Sequence, residues 1–368
     1  MINIIDINNA EERNEYESFV SSHKKGSFMQ SLKWAEVKSG WDSTAVAVRD
    51  ENGCIKGSAL ILIKHIPFIG KTFMYCPRGP VFSDADTFHE LMDTVDVLAA
   101  HYRACTFKCD PLIMEDDSES AAVLESAGLR KREVSEDRLI QSKYNYVLNF
   151  NGRTKEELFK DFHKKWRYNI RVAQKHGVKC RVCGTEALDD FCKLMKETGG
   201  RDGFCVRDRS YFEHLMREMG DSAKLYMTYC GGMPLSGAVC VRYGGISSYV
   251  YGASTSHMRN VMPNYLMQWT MISDAADSGC CAHDFQGIPH YYDESHPNYG
   301  VYRFKSGFGG EVTGYVGEFD KVYEKGAAFL VRGAIFLRKL YLKAASHFSR
   351  GEKKEIPGKP LTFPQKMV

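Results

Sequence analysis

The chain has 368 residues, 43% of them hydrophobic, which is enough for two domains of ordinary size with separate cores. Its 49 Lys and Arg residues nearly balance 46 Asp and Glu residues. This balance excludes a general nucleic-acid coat, so any binding of RNA or anionic lipid has to come from local clusters of charge.

Cysteine usage and apolar runs indicate where the protein works. Most of the twelve cysteines lie in apolar, strand-like runs, where a reduced thiol behaves as a small hydrophobe. The single CxxC pair, Cys180 and Cys183, has no second pair at zinc-ribbon spacing, so we expect no metal site. Residues 1–10 do not read as a signal peptide, and no run of about 18 apolar residues occurs. We therefore expect a cytoplasmic protein.

Hydrophobic periodicity predicts the elements of the first half in chain order. Apolar residues recur at helical spacing in some segments and alternate in others, which distinguishes helices from strands. The predicted elements are helices at about 10–21 and 31–39, strands near 43–49, 55–66 and 71–76, a helix at about 86–102 and a strand at 105–109.

The same order of elements returns after residue 185. The elements are helices near 186–198 and 209–218, strands near 223–230, 235–242 and 246–252, a helix at 263–278 and a strand at 282–286. This repeat predicts two similar domains of mixed α/β (α+β) class, and the order resembles the acetyltransferase-like (GNAT-like) fold. The predicted division is a first domain at 1–150 completed by a strand within 311–325, a second domain at 151–310, and a tail at 326–368.

Several segments, taken in order, carry a family resemblance. They are Gln30–Lys38, Pro77–Val81, Lys165–Arg171, Tyr249–Ser254, Met262–Trp269, Asp284–Ile288, Gly300–Glu311 and Gly317–Asp320. Together they resemble the FemABX family of aminoacyltransferases, which build peptidoglycan bridges, over about residues 10–325. The resemblance implies tandem acetyltransferase-like domains, and the short stretch 200–222 is typical of relatives without a coiled-coil arm.

The reaction that the resemblance implies is attack by an amine of the stem peptide on the ester of an aminoacyl-tRNA. Because the ester is already activated, no metal or redox cofactor is expected. Negative charge develops on the carbonyl and ribose oxygens, and a fixed cation there gives the largest assistance. The matching catalytic residue is Lys305, which precedes the glycines at 307, 309 and 310. The alternative is an ordinary surface lysine on a short helix.

The implied acceptor is a peptidoglycan precursor, either lipid II or UDP-MurNAc-pentapeptide. Lys38 and Arg207 match family positions that hold its diphosphate, and Tyr211 and Tyr251 match aromatic positions in the same groove. Each tyrosine could equally pack in a core. Two further residues complete the predicted substrate-binding set: Phe304 and Asp110. Asp110 precedes a proline, so it either orients the amine or caps a turn, and we favour the turn.

A basic segment predicts contact with the transfer RNA. A helix at about 154–176 would place five cations on one face, beside an apolar stripe. These cations are Lys160, Lys164, Arg167, Arg171 and Lys175. Such a row can follow a phosphate backbone without reading bases. A plain solvated face is the alternative.

The tail mixes apolar and basic residues between 327 and 347 without an acidic residue. This pattern is typical of a basic amphipathic helix on anionic lipid, which would place the protein at the cytoplasmic membrane face and favour the lipid-linked precursor. Docking onto the protein body is the alternative.

Two other functions compete with aminoacyl transfer. An acetyl-CoA-dependent acyltransferase needs a glycine-rich turn before a helix, but Pro80 interrupts the first candidate turn and residues 259–264 contain no glycine. A non-catalytic module that binds RNA or membrane would not need the glycine-flanked Lys305.

Overall fold

The computed structural model describes residues 4–67, 69–331 and 333. Its helices are α1 (Ala10–Ser22), α2 (Leu32–Val37), α3 (Ala85–His101), α4 (Ser118–Ser126), α5 (Lys155–Asp161), α6 (Lys164–Lys175), α7 (Leu188–Asp202), α8 (Arg209–Met219), α9 (Pro263–Asp277) and α10 (Tyr299–Ser306). Its strands are β1 (Asp42–Arg49), β2 (Ile55–Ile66), β3 (Lys71–Cys76), β4 (Val81–Phe82), β5 (Ala104–Cys109), β6 (Arg130–Lys131), β7 (Tyr144–Asn149), β8 (Lys179–Cys183), β9 (Ala223–Cys230), β10 (Met233–Tyr243), β11 (Ile246–Ser254), β12 (Ala282–Gly287), β13 (Glu311–Gly314) and β14 (Phe319–Val322).

The first sheet has the strand order β1-β2-β3-β5-β14-β6, with β4 paired to β2. Strands β1, β2 and β3 are antiparallel, and β5 joins β3 in parallel after the crossover helix α3. Asp84 caps the N-terminus of α3. The apolar face of α3, on which Leu91 and Val95 are fully buried, packs on the sheet.

The second sheet repeats this pattern in the order β13-β7-β12-β11-β10-β9-β8. Strands β9, β10 and β11 are antiparallel, and β12 joins β11 in parallel after the crossover helix α9. The alternation of periods along the chain therefore correctly predicts a mixed α/β protein with a duplicated order of elements.

The two sheets exchange strands. Strand β7 leaves the first half and pairs with β12 in the second sheet, while β14 returns from the far end and pairs with β5 in the first. The sequence analysis placed a strand within 311–325 in the first domain, and β14 lies in the first sheet. The predicted boundary at 150 differs from sheet membership, because it assigns β7 to the first domain.

The predicted strand within 311–325 is two strands. Strand β13 pairs with β7, and β14 joins the other sheet. Between them the chain crosses from one sheet to the other, and Gly317 adopts a left-handed conformation with φ of 91°. Alternating side chains indicated extended backbone here, but they carried no information on which sheet each part joins.

The predicted helix at 154–176 is wrong as a single element, because it divides into α5 and α6. Phe162 ends α5 in extended conformation (φ −60°, ψ 145°) and His163 caps α6. The side chain of Phe162 is 1% exposed and meets the rings of Trp269 and Phe308 at 5.6 and 5.2 Å. Burial of this ring fixes the position of the break.

Candidate functional site

Lys305 lies near the C-terminal end of α10 and is 5% exposed. Its Nζ donates hydrogen bonds to the carbonyl oxygens of Gln286 (3.1 Å) and Gly287 (2.8 Å). Burial lowers the pKa of Lys305 to about 7, and the nearby charge of Asp284 opposes that shift. Lys305 is therefore on a short helix, but it is a buried, oriented amine and not a surface lysine.

The glycines after Lys305 contact protein. An added Cβ at Gly307 would overlap the indole of Trp166, and one at Gly310 would overlap the carbonyl of Val147. The glycine-bearing run after Lys305 therefore serves close packing within the protein. Close contact at these two positions fixes α10 against α6 and β7.

Gln286 connects Lys305 to a cavity of about 170 Å³ between the two halves of the chain. The lining residues come from both sheets, from α2 and from the segments that adjoin them. They are Met29, Trp34, Lys38, Trp41, Leu62, Tyr75, Pro77, Gln141, Val250, Tyr251 and Gln286. The cavity therefore combines aromatic surface with amide and ammonium groups, which suits a polar ligand that also carries apolar parts.

Lys38, Arg207, Tyr211 and Tyr251 converge at one end of this cavity. Lys38 Nζ lies 4.5 Å from the ring centre of Trp34 and 5.9 Å from that of Tyr211, while the Arg207 guanidinium lies 4.6 Å from the Tyr211 ring. The hydroxyls of Tyr211 and Tyr251 are 2.9 Å apart. Burial raises the pKa of both phenols, so both are neutral.

Asp110 does not line the cavity, but it is hydrogen-bonded to a residue that does. It is 2% exposed and accepts hydrogen bonds from the hydroxyl of Tyr75 (2.7 Å) and the amide of Arg78 (2.6 Å). Burial raises its pKa to about 6, against the opposing effect of the Arg78 charge. Arg78 has a left-handed φ of 53°, so Asp110 holds the turn at Arg78 and also orients a lining residue, Tyr75.

Phe304 packs within an aromatic cluster. Its ring lies 5.2 Å from Tyr265 and 5.5 Å from Phe308, and its carbonyl accepts a hydrogen bond from the indole of Trp166 (2.8 Å). These contacts leave the side chain half-buried. The structure places it next to Lys305 along α10, among side chains that orient that helix.

The five predicted RNA-binding cations lie on α5 and α6. Lys160, Lys164, Arg171 and Lys175 are exposed, whereas the half-buried Arg167 donates a hydrogen bond to the carbonyl of Lys160 across the break between the helices. The break thus interrupts the predicted continuous face but keeps the cations together.

Helix α6 is joined to the Lys305 region by two hydrogen bonds. The amide of His163 donates to the carbonyl of Gly307 (2.9 Å), and the indole of Trp166 donates to the carbonyl of Phe304. A nucleic acid on the basic surface would consequently lie beside α10.

Sequence reasoning missed several residues of the cavity and its surroundings. Asp284 and Gln286 lie in a segment that carries the family resemblance, yet their sequence context indicates no role for either. Trp34 lies in another such segment, and Gln141 carried no signal. Their proximity depends on contacts between distant parts of the chain, which periodicity does not reveal.

Among the described residues, Asp137, His290 and His296 form a cluster that could hold a metal ion, with ligand atoms within 4.8 Å of one another. His290 Nε2 lies 3.2 Å from the Asp137 carboxylate, and His296 Nδ1 accepts the amide of Asn298. A second cavity, about 260 Å³, reaches His290, but the described residues that line it include none of the predicted site residues.

The predicted amphipathic tail at 327–347 lies almost entirely outside the described residues. Within the described part of the chain, no helix combines the length and the apolar character that crossing a bilayer requires.

Comparison with known proteins supports the resemblance. A model of the FemAB family matches residues 12–232 and 231–332. Lipid II:glycine glycyltransferases from Staphylococcus haemolyticus (strain JCSC1435) and Staphylococcus aureus (strain USA300) are 29% and 28% identical, covering 84% of this chain and 91% of each relative.

Solved structures give the same result. The crystal structure of FemX superposes with a TM-score of 0.80 at 26% identity, covering 87% of this chain and 98% of FemX. A tandem GNAT protein from the clavulanic acid pathway reaches a TM-score of 0.53 at 9% identity, covering 87% and 97% of the two chains, which shows the shared fold. The predicted tandem acetyltransferase-like architecture is confirmed, and the chain belongs to the FemAB family.

Proposed function

We propose that this protein is an acyltransferase that moves an aminoacyl group from an aminoacyl-tRNA to the stem peptide of a peptidoglycan precursor. Membership of the FemAB family and similarity to lipid II:glycine glycyltransferases support peptidoglycan bridge formation. The observation that carries the proposal is the buried amine of Lys305, which is linked through Gln286 to a cavity with cationic and aromatic walls.

In this reaction Lys305 acts as an ammonium beside the ester. The attacking amine forms a C–N bond at the ester carbonyl, whose oxygen becomes an oxyanion. The ester C–O bond then breaks, and the ribose oxygen, on which negative charge develops, leaves with the proton that the amine nitrogen gives up. A cation held by two carbonyl oxygens is already oriented before the reaction, so it stabilises these charges without the cost of reorganisation.

The convergent cations bind the acceptor. Lys38 and Arg207 supply the charge that a diphosphate requires, and the planar guanidinium can donate two parallel hydrogen bonds to it. Tyr211 and Tyr251 form a wall for the attached sugar and peptide. Asp110 fixes Tyr75, which borders the route of the incoming amine.

The exposed cations of α5 and α6 bind the transfer RNA through its phosphates, and the contact of α6 with α10 would deliver the aminoacyl end to Lys305. We further propose that the protein works at the cytoplasmic side of the membrane, where both substrates are present, and that residues 326–368 strengthen contact with the lipid-linked precursor.

An acetyl-CoA-dependent acyltransferase is less compatible with the two crossover helices. A pyrophosphate binds to free amides at a helix N-terminus. In α3 this position is occupied by the carboxylate of Asp84, which accepts the amide of Thr87 at 2.8 Å. In α9 the first helical residue is Pro263, which has no amide hydrogen.

The test is a transfer assay with the purified full chain. Transfer RNAs charged with different radiolabelled amino acids are each incubated with lipid II or with UDP-MurNAc-pentapeptide, and labelled acetyl-CoA serves as the competing donor. We expect label to pass from one charged transfer RNA to a precursor. Transfer from acetyl-CoA alone, or from no donor, would contradict the proposal.

A further inference from the structure

Asp284 is a half-buried carboxylate close to Lys305 that has no part in the proposed mechanism. It lies on β12 and accepts hydrogen bonds from the side-chain amide of Asn145 (3.0 Å), from the backbone amide of Gln286 (2.7 Å) and from the Gln286 side chain (2.8 Å). The pKa of Asp284 is raised by burial, and the hydrogen bonds from the Gln286 amide and from Asn145, together with the charges of Arg78 and Lys305, oppose that shift. Three donors therefore favour the ionised carboxylate at this position.

The backbone held by Asp284 is the one that orients Lys305. Gln286 has a left-handed φ of 61°, which is uncommon for a residue with a side chain and persists where surrounding contacts impose it. The two hydrogen bonds from Gln286 to Asp284 supply such contacts. This conformation directs the carbonyls of Gln286 and Gly287 towards Lys305 Nζ.

Close packing at Gly287 restricts the position of this turn. A Cβ at Gly287 would approach the Cβ of Ser142 to 2.7 Å, so the turn is pressed against the segment that follows the first sheet. The carbonyl of Ser142 also accepts a hydrogen bond from the Arg78 guanidinium at 2.8 Å. The turn is therefore fixed on one side by packing and on the other by Asp284.

Asp284 is the counter-charge of Lys305, because the neighbouring titratable groups are neutral or cationic. His283 is fully buried, and burial lowers its pKa to about 3, so it is neutral. Arg78 is cationic, and the buried phenol of Tyr315 has a raised pKa and is neutral. Among the described residues, Asp284 is the group whose negative charge favours the protonated form of Lys305 against burial.

We propose that Asp284 is a positioning residue for acyl transfer, which holds the Gln286 turn and supplies the negative charge that keeps Lys305 an ammonium. It acts through Lys305 and Gln286 and contacts neither substrate. This inference rests on the proposed role of Lys305, but the coupling between Asp284 and Lys305 can be measured without any substrate.

The experiment compares wild-type protein with Asp284→Asn and with the control Asp277→Asn, an exposed carboxylate on α9 paired with Lys155. The amine of Lys305 is followed by NMR of lysine-labelled protein, assigned with Lys305→Arg, while pH is varied. We expect Asp284→Asn to lower the Lys305 pKa by about 1 or more, since a unit charge inside a protein is weakly screened, and the control to leave it unchanged.

The transfer assay provides a second readout. Because the ammonium is the active form, activity falls as pH rises through the Lys305 pKa. Asp284→Asn should move this fall to lower pH, reduce turnover about tenfold or more near pH 8, and leave precursor affinity within about twofold. If the Asn variant does not fold, Asp284→Ser removes the charge while keeping an oxygen acceptor for the Gln286 amide.

An unchanged Lys305 titration in either folded variant would overturn the positioning role, whatever the transfer assay shows. If the titration shifts but wild-type protein transfers no aminoacyl group, the proposed function fails and the coupling stands. If wild-type protein is active and Asp284→Asn retains its turnover and pH profile, the positioning role alone is wrong.

Discussion

Replacing Lys305 with methionine removes the ammonium while keeping an unbranched side chain of similar length. Loss of one oriented group that stabilises an oxyanion lowers turnover by about 10²- to 10³-fold, or about 3–4 kcal/mol of barrier. Lys38 and Arg207 are left in place, so precursor affinity should change by less than about threefold.

The stability of this variant tests the burial of the charge independently. A lysine pKa lowered from 10.5 to about 7 corresponds to about 5 kcal/mol in favour of the neutral amine. Between these pH values the unfolded chain binds a proton that the folded chain does not, so wild-type stability falls as pH drops from about 10.5 to about 7. The methionine variant lacks this pH-dependent contribution of the lysine to stability. It also leaves the carbonyls of Gln286 and Gly287 without their hydrogen-bond donor, which costs about 1–3 kcal/mol of stability for each carbonyl.

Single-turnover transfer from charged tRNA, precursor binding by calorimetry, and urea unfolding between pH 6 and 10 measure these quantities. Lys321→Met, which removes a lysine from β14 outside the cavity, is the control. Near-normal turnover in a folded Lys305→Met protein would refute the catalytic role. An identical pH dependence of stability in the variant and wild type would refute the buried amine.

Lys38→Met should raise the KM for the precursor about 10- to 100-fold with a smaller effect on kcat, and Arg207→Lys should weaken binding because it loses the planar guanidinium; both are measured by steady-state kinetics. Lys164→Glu combined with Lys175→Glu should weaken binding of charged tRNA and reduce the slope of log K against log salt by about 1–2, without altering precursor binding in fluorescence titrations. Gln30→Ala should destabilise the fold by about 3 kcal/mol in urea unfolding, because the buried Gln30 side chain binds both backbone groups of Leu60 and the carbonyl of Pro77; a loss under about 1 kcal/mol would contradict this role.

Local patterns were sufficient for elements that bury one regular face. Strand β2 and helix α3 lie within one residue of their predicted ends because alternation and helical spacing continue along their full length. The predicted helix at 154–176 failed because Phe162 fits a helical stripe equally well whether the helix continues or the ring turns inward. Burial against Trp269 decided the outcome, and that ring is distant in sequence.

In the candidate site, too, some residues could be predicted from the sequence and others depend on the folded structure. Lys38, Arg207, Tyr211 and Tyr251 could be named because the family resemblance aligned them, and the structure brings them together. The role of Gln286 could not be anticipated, because it depends on a left-handed backbone that spacing does not encode. The role of Asp284 likewise depends on its proximity to a lysine that lies on another element.

The exchange of β7 and β14 between the two sheets limits how the two sides of the cavity can move relative to each other. Each half contributes a strand to the interior of the other sheet, and residues 315–318 form the short bridge between β13 and β14. Two covalent crossings of this kind oppose a wide hinge motion between the halves, so we expect access to the cavity through displacement of side chains and loops at its rim. They also mean that cutting the chain at residue 150 would leave both fragments with an unpaired sheet edge, prone to self-association.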